Sequence, residues 1–234
     1  MSKDKLDSYS SYYTANNLQI DDLLIKAAFD EYKKFFRGRD CLELGPANGL
    51  MTEHLRHSFE SLDLVDGAES LLRAIPEYDN VTKYHSLFAN FKPTKSYDTI
   101  VMNHVLEHLE LPVDELKNIR HWLKDDGVFI CGVPNANSYH RLLAVEIGLL
   151  ESSNELNDRD KALGHYRVYT LKELIKDIEQ AGFTVISSGG IGLKFLSNSQ
   201  LKDLLSEDFI KAALKMGSLA PNHGAEVFVI CKKK

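Results

Sequence analysis

The chain has 234 residues, of which 44% are hydrophobic and 26% are charged, and its formal net charge is −6. This length and composition are typical of one globular domain with a substantial core. The longest basic run is the C-terminal 232–234, so the sequence disfavours a long nucleic-acid ligand. No apolar run reaches the ~18 residues of a membrane span, and the N-terminus lacks the apolar stretch of a secretory signal. We therefore expect a cytoplasmic protein without a membrane partner.

The cysteines Cys41, Cys131 and Cys231 are far apart and lie in apolar, strand-like runs. They form no C-x-x-C pair, so we expect reduced thiols buried in the core.

Short apolar runs alternate with helical patterns along the chain. Strands are predicted at 40–45, 61–67, 81–88, 97–104, 127–134, 183–187 and 225–231, and helices at 50–59, 68–75, 113–123 and 171–183. Strands that alternate with helices predict an α/β fold, a Rossmann-like and mostly parallel sheet with helices on both faces. Ligands of such folds bind at the carboxyl ends of the strands.

Three segments interrupt this pattern within a predicted single domain, 1–234. Segment 9–37 holds a tyrosine-rich start and a cap helix, and segment 192–222 holds a helical insertion before the last strand. Segment 135–170 follows the fifth strand, and we expect it to form a helical lid on the acceptor side of the site.

The loop after the first strand, LELGPANG (42–49), carries Glu43, Gly45 and Gly49. Glycine directly after a strand permits a tight turn and close approach to a ligand, although a purely structural turn has the same composition. Ala47 stands where G-x-G-x-x-G has its middle glycine, which weakens a nicotinamide interpretation. Asp66 ends the second strand 21 residues after Gly45, where an acidic side chain accepts hydrogen bonds from ribose hydroxyls. The two features together predict a ligand that contains a nucleoside.

Five blocks occur in an order that resembles class I S-adenosylmethionine-dependent methyltransferases. They are LELGPANGLMTEHL, LVDGAESLL, YDTIVMNHVLEHL, LKDDGVFICGVPN and HYRVYTLKELIKDIEQAGF, and the likeness covers roughly residues 38 to 190. The resemblance implies a seven-stranded sheet whose last strand is antiparallel. It also implies S-adenosyl-L-methionine as cofactor and S-adenosyl-L-homocysteine as its product.

The resemblance assigns cofactor roles to residues at the strand ends. Gly45, Ala47 and Gly49 would lie along the methionine part, Glu43 would fix that loop, and Asp66 would take the ribose hydroxyls. The other implied cofactor residues are Tyr13, Asn48, Gly67, Ala68, Ser86, Leu87, Phe88, Asn103 and His104.

The stretch HVLEH (104–108) matches H-x-x-E-H, the inverted zinc-protease motif. A protease would need His104 and His108 on one continuous helix, whereas the residues before His104 predict a strand. Packing of His108 at a helix start and a role of either histidine as general base both stay open. The stretch also resembles E-x-x-E-H of ubiquinone-pathway O-methyltransferases, which use a divalent ion. Because His104 replaces the first glutamate there, we predict no metal ligand.

The predicted lid carries two His-Arg groupings that suit an acceptor with negative charge. Arg141 and Arg167 are candidates to clamp a carboxylate or phosphate, because a guanidinium matches either group. Surface ion pairs are the alternative. His140 and His165 join His104 and His108 as candidate catalytic residues. The further candidates for acceptor binding are Tyr12, Tyr139 and Tyr166.

These residues predict a methyltransferase for a small polar acceptor that bears a phosphate, phosphoramidate or carboxylate, with O-methylation slightly preferred. The pattern of 135–170 also resembles methyltransferases encoded with bacterial surface-polysaccharide pathways, which suggests a sugar precursor as acceptor. The alternatives are an N-methyltransferase of an amino sugar or small metabolite, a non-catalytic nucleoside-binding regulatory protein, and a zinc hydrolase. The sequence does not choose between monomer and homodimer.

Overall fold

The computed structural model describes residues 18–234, in which seven strands form one sheet. The strands are β1 (Asp40–Leu44), β2 (Ser61–Asp66), β3 (Val81–His85), β4 (Tyr97–Asn103), β5 (Leu123–Pro134), β6 (Phe183–Ile191) and β7 (Glu226–Lys233). Their order is β3-β2-β1-β4-β5-β7-β6, with β1 to β5 parallel and β7 antiparallel to both of its neighbours. The predicted seven-stranded, mostly parallel sheet with an antiparallel last strand is confirmed.

Nine α-helices surround the sheet in the described chain. They are α1 (Leu18–Tyr32), α2 (Leu50–Leu55), α3 (Glu69–Ala74), α4 (Pro112–Trp122), α5 (Tyr139–Glu146), α6 (Asp158–Leu163), α7 (Leu171–Gln180), α8 (Asn198–Leu204) and α9 (Glu207–Lys215). Short 3₁₀ turns lie at Lys33–Phe35, Phe88–Asn90, Leu106–His108 and Met216–Leu219. No helix among residues 18–234 is long and apolar enough to span a bilayer.

Both faces of the sheet are buried, because successive side chains of a strand point to opposite sides. Leu42 and Leu44 of β1 pack in the cluster that includes α4 and α7, whereas Cys41 packs with α1 and α2 on the other face. Cys41, Cys131 and Cys231 are buried and free, as the sequence predicted.

Several predicted elements are shorter in the structure than in the sequence pattern, and two of them lie near the cavity. The helix predicted at 50–59 ends at Leu55, after which a turn closes with Ser58 N donating to Leu55 O. The strand predicted at 81–88 ends at His85, and Phe88 begins a 3₁₀ turn. In the first place, the apolar residue that continued the pattern still reaches the core, since Phe59 is buried in the segment after α2.

Candidate active site

A cavity of about 560 Å³ opens at the carboxyl ends of β1, β2 and β4. The predicted cofactor residues that line it are Glu43, Gly45, Ala47, Asn48, Asp66, Gly67, Ala68, Ser86, Leu87, Phe88, Asn103 and His104. Gly49 is not part of the lining. Tyr12 and Tyr13, for which acceptor and cofactor contacts were predicted, lie outside the described residues.

The loop between β1 and α2 is shaped by three left-handed residues. Gly45 has φ 69°, Ala47 has φ 47° and Gly49 has φ 81°. A Cβ on Gly45 would lie 2.5 Å from Cγ2 of Val105, so only glycine allows this loop to pack against the chain after β4. Ala47 adopts a backbone conformation that favours glycine, which points to a loop held in place by its surroundings.

Two acidic side chains stand at the ends of β1 and β2. The Glu43 carboxylate accepts a 2.6 Å hydrogen bond from Thr52 Oγ1. Burial raises the pKa of Glu43 to about 8, against the lowering effect of that hydrogen bond, and the charge of Asp66 raises it further. Oδ1 of Asp66 accepts from Ala68 N at 2.8 Å, which fixes the turn after β2. The carboxyl groups of Glu43 and Asp66 thus both belong to the lining of the cavity.

Asn103, the last residue of β4, is oriented by a tyrosine from α1. Tyr32 Oη donates to Asn103 Oδ1 at 2.7 Å, and Gly132 provides the room because a Cβ there would lie 2.0 Å from that hydroxyl. Nδ2 of Asn103 is buried without a hydrogen-bond partner in the described chain. An orphaned donor of this kind is suited to a ligand oxygen in the cavity.

His104 follows β4 directly and has φ 56°, an uncommon conformation for a non-glycine residue. Its Nε2 lies 2.9 Å from Glu226 Oε1 and its Nδ1 lies 3.6 Å from Glu107 Oε1. Burial lowers the pKa of His104, but the two carboxylates more than offset this and raise it to about 9. His104 is therefore an imidazolium at neutral pH, and donates hydrogen bonds more readily than it accepts protons.

The HVLEH stretch begins directly after β4 ends at Asn103 and contains a 3₁₀ turn, Leu106–His108. The continuous helix that a zinc protease requires is absent from it, so that interpretation is wrong. Glu107 is fully buried and neither of its carboxylate oxygens has a hydrogen bond in the described chain.

Glu107, His108 and His165 form a polar cluster in the wall of the cavity, which we call the Glu-His-His cluster. One ligand atom from each lies within 4.8 Å of the others. The rings of His108 and His165 meet edge to face, with centroids 4.6 Å apart. Asp160 accepts from Nδ1 of His165 at 3.1 Å and so orients its ring. The sequence predicted the two histidines but gave no sign that the chain brings them together.

A second set of charged side chains in the cavity was missed by sequence reasoning. Lys194 Nζ donates to Asn198 Oδ1 at 2.8 Å, and Asn198 Nδ2 donates to Asp21 Oδ1 at 2.8 Å. Burial lowers the pKa of Lys194 to about 8, and the charge of Arg159 adds to the effect. A signal was available, since Lys194 is a single charge inside the apolar stretch GIGLKFL, but no motif marks it.

His140 also lines the cavity, where burial lowers its pKa to about 2 and the charge of Lys194 adds to the effect. Burial likewise lowers the pKa of His108 to about 3, with contributions from the charges of His165 and His104. Both rings are therefore neutral at pH 7. All four predicted catalytic histidines, His104, His108, His140 and His165, lie in one cavity.

The remaining residues that were predicted to bind the acceptor do not present free polar groups to the cavity. Arg141 is buried, and its guanidinium donates to Ser153 O at 2.7 Å, to Asp160 Oδ2 at 3.0 Å and to Glu155 O. Arg167 lies outside the lining and donates to Glu110 O at 3.1 Å. Tyr166 is an exposed residue outside the lining, and Tyr139 stacks between Phe195 and His223.

Comparison with known proteins decides the family. A family model described as a methyltransferase domain matches residues 14–188. The chain belongs to this methyltransferase family. The enzyme class expected from the sequence, an S-adenosylmethionine-dependent methyltransferase, is confirmed, and with it the expected cofactor.

Solved methyltransferases share the fold at low sequence identity. An S-adenosylmethionine-dependent methyltransferase from Thermotoga maritima is 17% identical, with a TM-score of 0.67 over 99% of this chain and 98% of that one. The N-methyltransferase NodS from Bradyrhizobium japonicum, in complex with S-adenosyl-L-homocysteine, is 13% identical, with a TM-score of 0.55 over 93% and 85%. These likenesses establish the architecture of the methyltransferase.

A curated relative is the malonyl-[acyl-carrier protein] O-methyltransferase of Halalkalibacterium halodurans. It is 24% identical over 137 residues, which are 51% of this chain and 50% of the relative. The chain therefore matches about half the length of this relative.

Proposed function

We propose that the methyltransferase transfers a methyl group to an oxygen of a small acceptor that carries a carboxylate or phosphate. The observation that carries this proposal is the continuity of one cavity. It runs from the loop after β1 to Lys194, Arg159 and the Glu-His-His cluster. A sugar precursor of bacterial surface polysaccharide is the acceptor that the sequence resemblance favours, and its identity is part of the proposal.

The residues at the ends of β1, β2 and β4 fit S-adenosylmethionine. Asp66 supplies a carboxylate for hydroxyl groups, and the orphaned Nδ2 of Asn103 supplies a donor for a carboxylate. Leu71, Leu87 and Phe88 line the same wall and give an apolar slot for a planar ring. The bound cofactor would supply an already activated methyl group on a sulfonium, so alignment of the acceptor is the main task left to this chain.

The cations of the cavity support an anionic acceptor. Lys194 is nearly fully buried and holds its ammonium between Asn198 and the charges of Asp21, Arg159 and Glu226. In the described chain its ammonium hydrogen-bonds a neutral amide oxygen and has no carboxylate within ion-pair distance, so an acceptor carboxylate or phosphate would supply a direct counter-charge. Arg159 on α6 lines the same wall and would add a second cation.

The Glu-His-His cluster supports O-methylation, because a hydroxyl must lose a proton during transfer. It provides a buried carboxylate and two imidazoles beside the same cavity. The name of the curated relative, an O-methyltransferase, agrees with this chemistry. We assign the acceptor's proton to this cluster.

Methyl-labelled S-adenosylmethionine and a panel of sugar phosphates, uronic acids, small carboxylic acids and amino sugars would test the proposal. We expect labelled product from a member with an anionic group, and the carbon shift of its methyl group should identify an oxygen as the site. Transfer confined to amines, or to acceptors without negative charge, would contradict the proposal. The proposal would also be contradicted if the protein bound S-adenosylhomocysteine but transferred no methyl group to any compound of the panel or of a small-molecule cell extract.

A further inference from the structure

Two features of the Glu-His-His cluster are not required for proton transfer alone: a buried carboxylate without hydrogen bonds in the described chain, and a histidine ring that is oriented by a second carboxylate. Glu107 is 0% exposed, yet neither carboxylate oxygen has a hydrogen bond among residues 18–234. Its ion-pair contact with His104 Nδ1 is long, at 3.6 Å. A buried carboxylate without hydrogen bonds is unfavourable by several kcal/mol unless a cation compensates for it.

Contacts with neighbouring side chains orient the rings of both histidines. Nδ1 of His165 is bonded to Asp160, and Asp160 is in turn fixed by Arg141 at 3.0 Å. The ring of His108 packs edge to face against the ring of His165, with centroids 4.6 Å apart. Histidines that ligate metals usually donate their other ring nitrogen to a carboxylate or a backbone carbonyl, which fixes the ring and directs the second nitrogen at the ion.

We propose that Glu107, His108 and His165 bind a divalent transition-metal ion in the acceptor part of the cavity. Two imidazoles and one carboxylate suit zinc, manganese, iron or cobalt, whereas magnesium prefers oxygen ligands alone. The ligand atoms lie within 4.8 Å of one another. Tetrahedral ligands with bonds of about 2.0–2.2 Å are about 3.4 Å apart, so binding would bring the most distant pair closer by up to about 1.4 Å. His104 lies outside this ligand set, because its ring is engaged with Glu226.

The inference deepens the proposed function and rests on it for its role. Three protein ligands leave coordination positions toward the cavity, where an acceptor hydroxyl could bind and lose its proton at neutral pH. The proton would pass from the hydroxyl to solvent, because the cluster's side chains would then be ligands and not the base. The methyl group would form its bond to that oxygen as its bond to the sulfonium sulfur of S-adenosylmethionine breaks, and S-adenosylhomocysteine would be the leaving group. A bound metal ion would therefore promote deprotonation of the acceptor hydroxyl more strongly than the Glu-His-His cluster without a metal.

Cobalt(II) is the probe for the test, because its visible absorption reports nitrogen and oxygen ligands directly. Chelator-treated, tag-free protein should bind one equivalent per chain and give this spectrum. His108→Asn, His165→Asn and Glu107→Gln should each weaken binding by at least about 100-fold, the upper end of the loss seen for outer-shell partners. His57→Asn is the matched control, since His57 is exposed on the surface.

Folding of each variant is checked by S-adenosylhomocysteine affinity, which depends on the strand ends and not on the cluster. Equal cobalt binding by wild type and by His165→Asn, or binding without the absorption spectrum, would overturn the metal site. In either case methyl transfer that survives chelation leaves the proposed function intact. Conversely, a cobalt site in a protein that methylates no acceptor contradicts the proposed function alone.

Discussion

The two halves of the cavity are built by different means. The half that we assign to the cofactor lies at the ends of parallel strands and in the loops that directly follow them; it consists of Glu43, Gly45, Ala47, Asn48, 66–68, 86–88 and 103–104. The acceptor half consists of Asp21, Glu107, His108, His140, Asp160, His165, Lys194 and Glu226. Its residues come from distant segments of the chain and are connected by polar side-chain contacts. An example is the hydrogen bond from Asn198 to Asp21, which are 177 positions apart. Local backbone geometry thus shapes the first half, and long-range polar contacts shape the second.

The largest expected effect concerns the polar contacts that hold the acceptor half. Arg141→Ala should lower the free energy of unfolding by about 3–5 kcal/mol, because it leaves Asp160 as a buried charge with less compensation. Urea denaturation measures this. Arg73→Ala is the control, since Arg73 forms an exposed pair with Glu69. If Arg141→Ala had the same free energy of unfolding as wild type, the guanidinium would not stabilise the fold and would be available to bind the acceptor.

The cofactor half is expected to respond through ligand affinity. Asp66→Ala should weaken S-adenosylhomocysteine binding by about 1–3 kcal/mol, because charge-assisted hydrogen bonds to the ribose would be lost. Calorimetry at fixed pH measures the change, with Asp79→Ala on the surface as control. Affinity equal to that of wild type would remove Asp66 from the ribose site.

This contrast explains what the sequence could predict. The α/β class and the importance of the strand ends follow from periodicity, because the residue after a strand is positioned by the strand itself. The antiparallel last strand and the roles of Asn103 and His104 were instead implied by the resemblance to class I methyltransferases. Arg141 and Arg167 were predicted to bind the acceptor for their chemistry alone. Their partners, the carbonyls of Ser153, Glu155 and Glu110, carry no signal in a sequence.

Residues that enter the cavity from remote segments escaped prediction for the same reason. Asp21 and Lys194 stand in a helix and a loop that have no motif, and only the folded chain brings them to one wall. His108 and His165 were predicted singly, and their contact depends on how segment 135–170 folds back on β4.

Substitution of Lys194 is expected to affect the acceptor half and not the cofactor half. Lys194→Met should raise the acceptor KM by roughly 10-fold or more, about 1.5–3 kcal/mol for a hydrogen bond to a charged group, and leave S-adenosylhomocysteine affinity unchanged. Lys215→Met on the exposed face of α9 is the control. A loss of cofactor affinity in Lys194→Met would break the division between the halves.

The pH dependence of the acceptor KM in the wild type is a second test of the role of Lys194. Because the pKa of Lys194 is about 8, its charge is present below pH 8 and is lost as pH rises through that value, so acceptor KM should rise above pH 8. The charged and titratable groups around it are Asp21, His140, Arg141, Arg159 and Glu226. A rise in KM that persists in Lys194→Met would assign the titration to one of these neighbours.

The smallest effect is expected outside both halves. Arg167 lies beyond the cavity lining and makes a hydrogen bond to Glu110 O, so Arg167→Ala should change stability by less than about 0.5 kcal/mol. Acceptor KM and cofactor affinity should both stay within about twofold of wild type. Steady-state kinetics of Arg167→Ala and Lys194→Met, measured in parallel, would compare the acceptor KM of the two variants. An acceptor KM raised as far as in Lys194→Met would extend the acceptor half to Arg167, because a guanidinium that far out could only act on an acceptor long enough to leave the cavity.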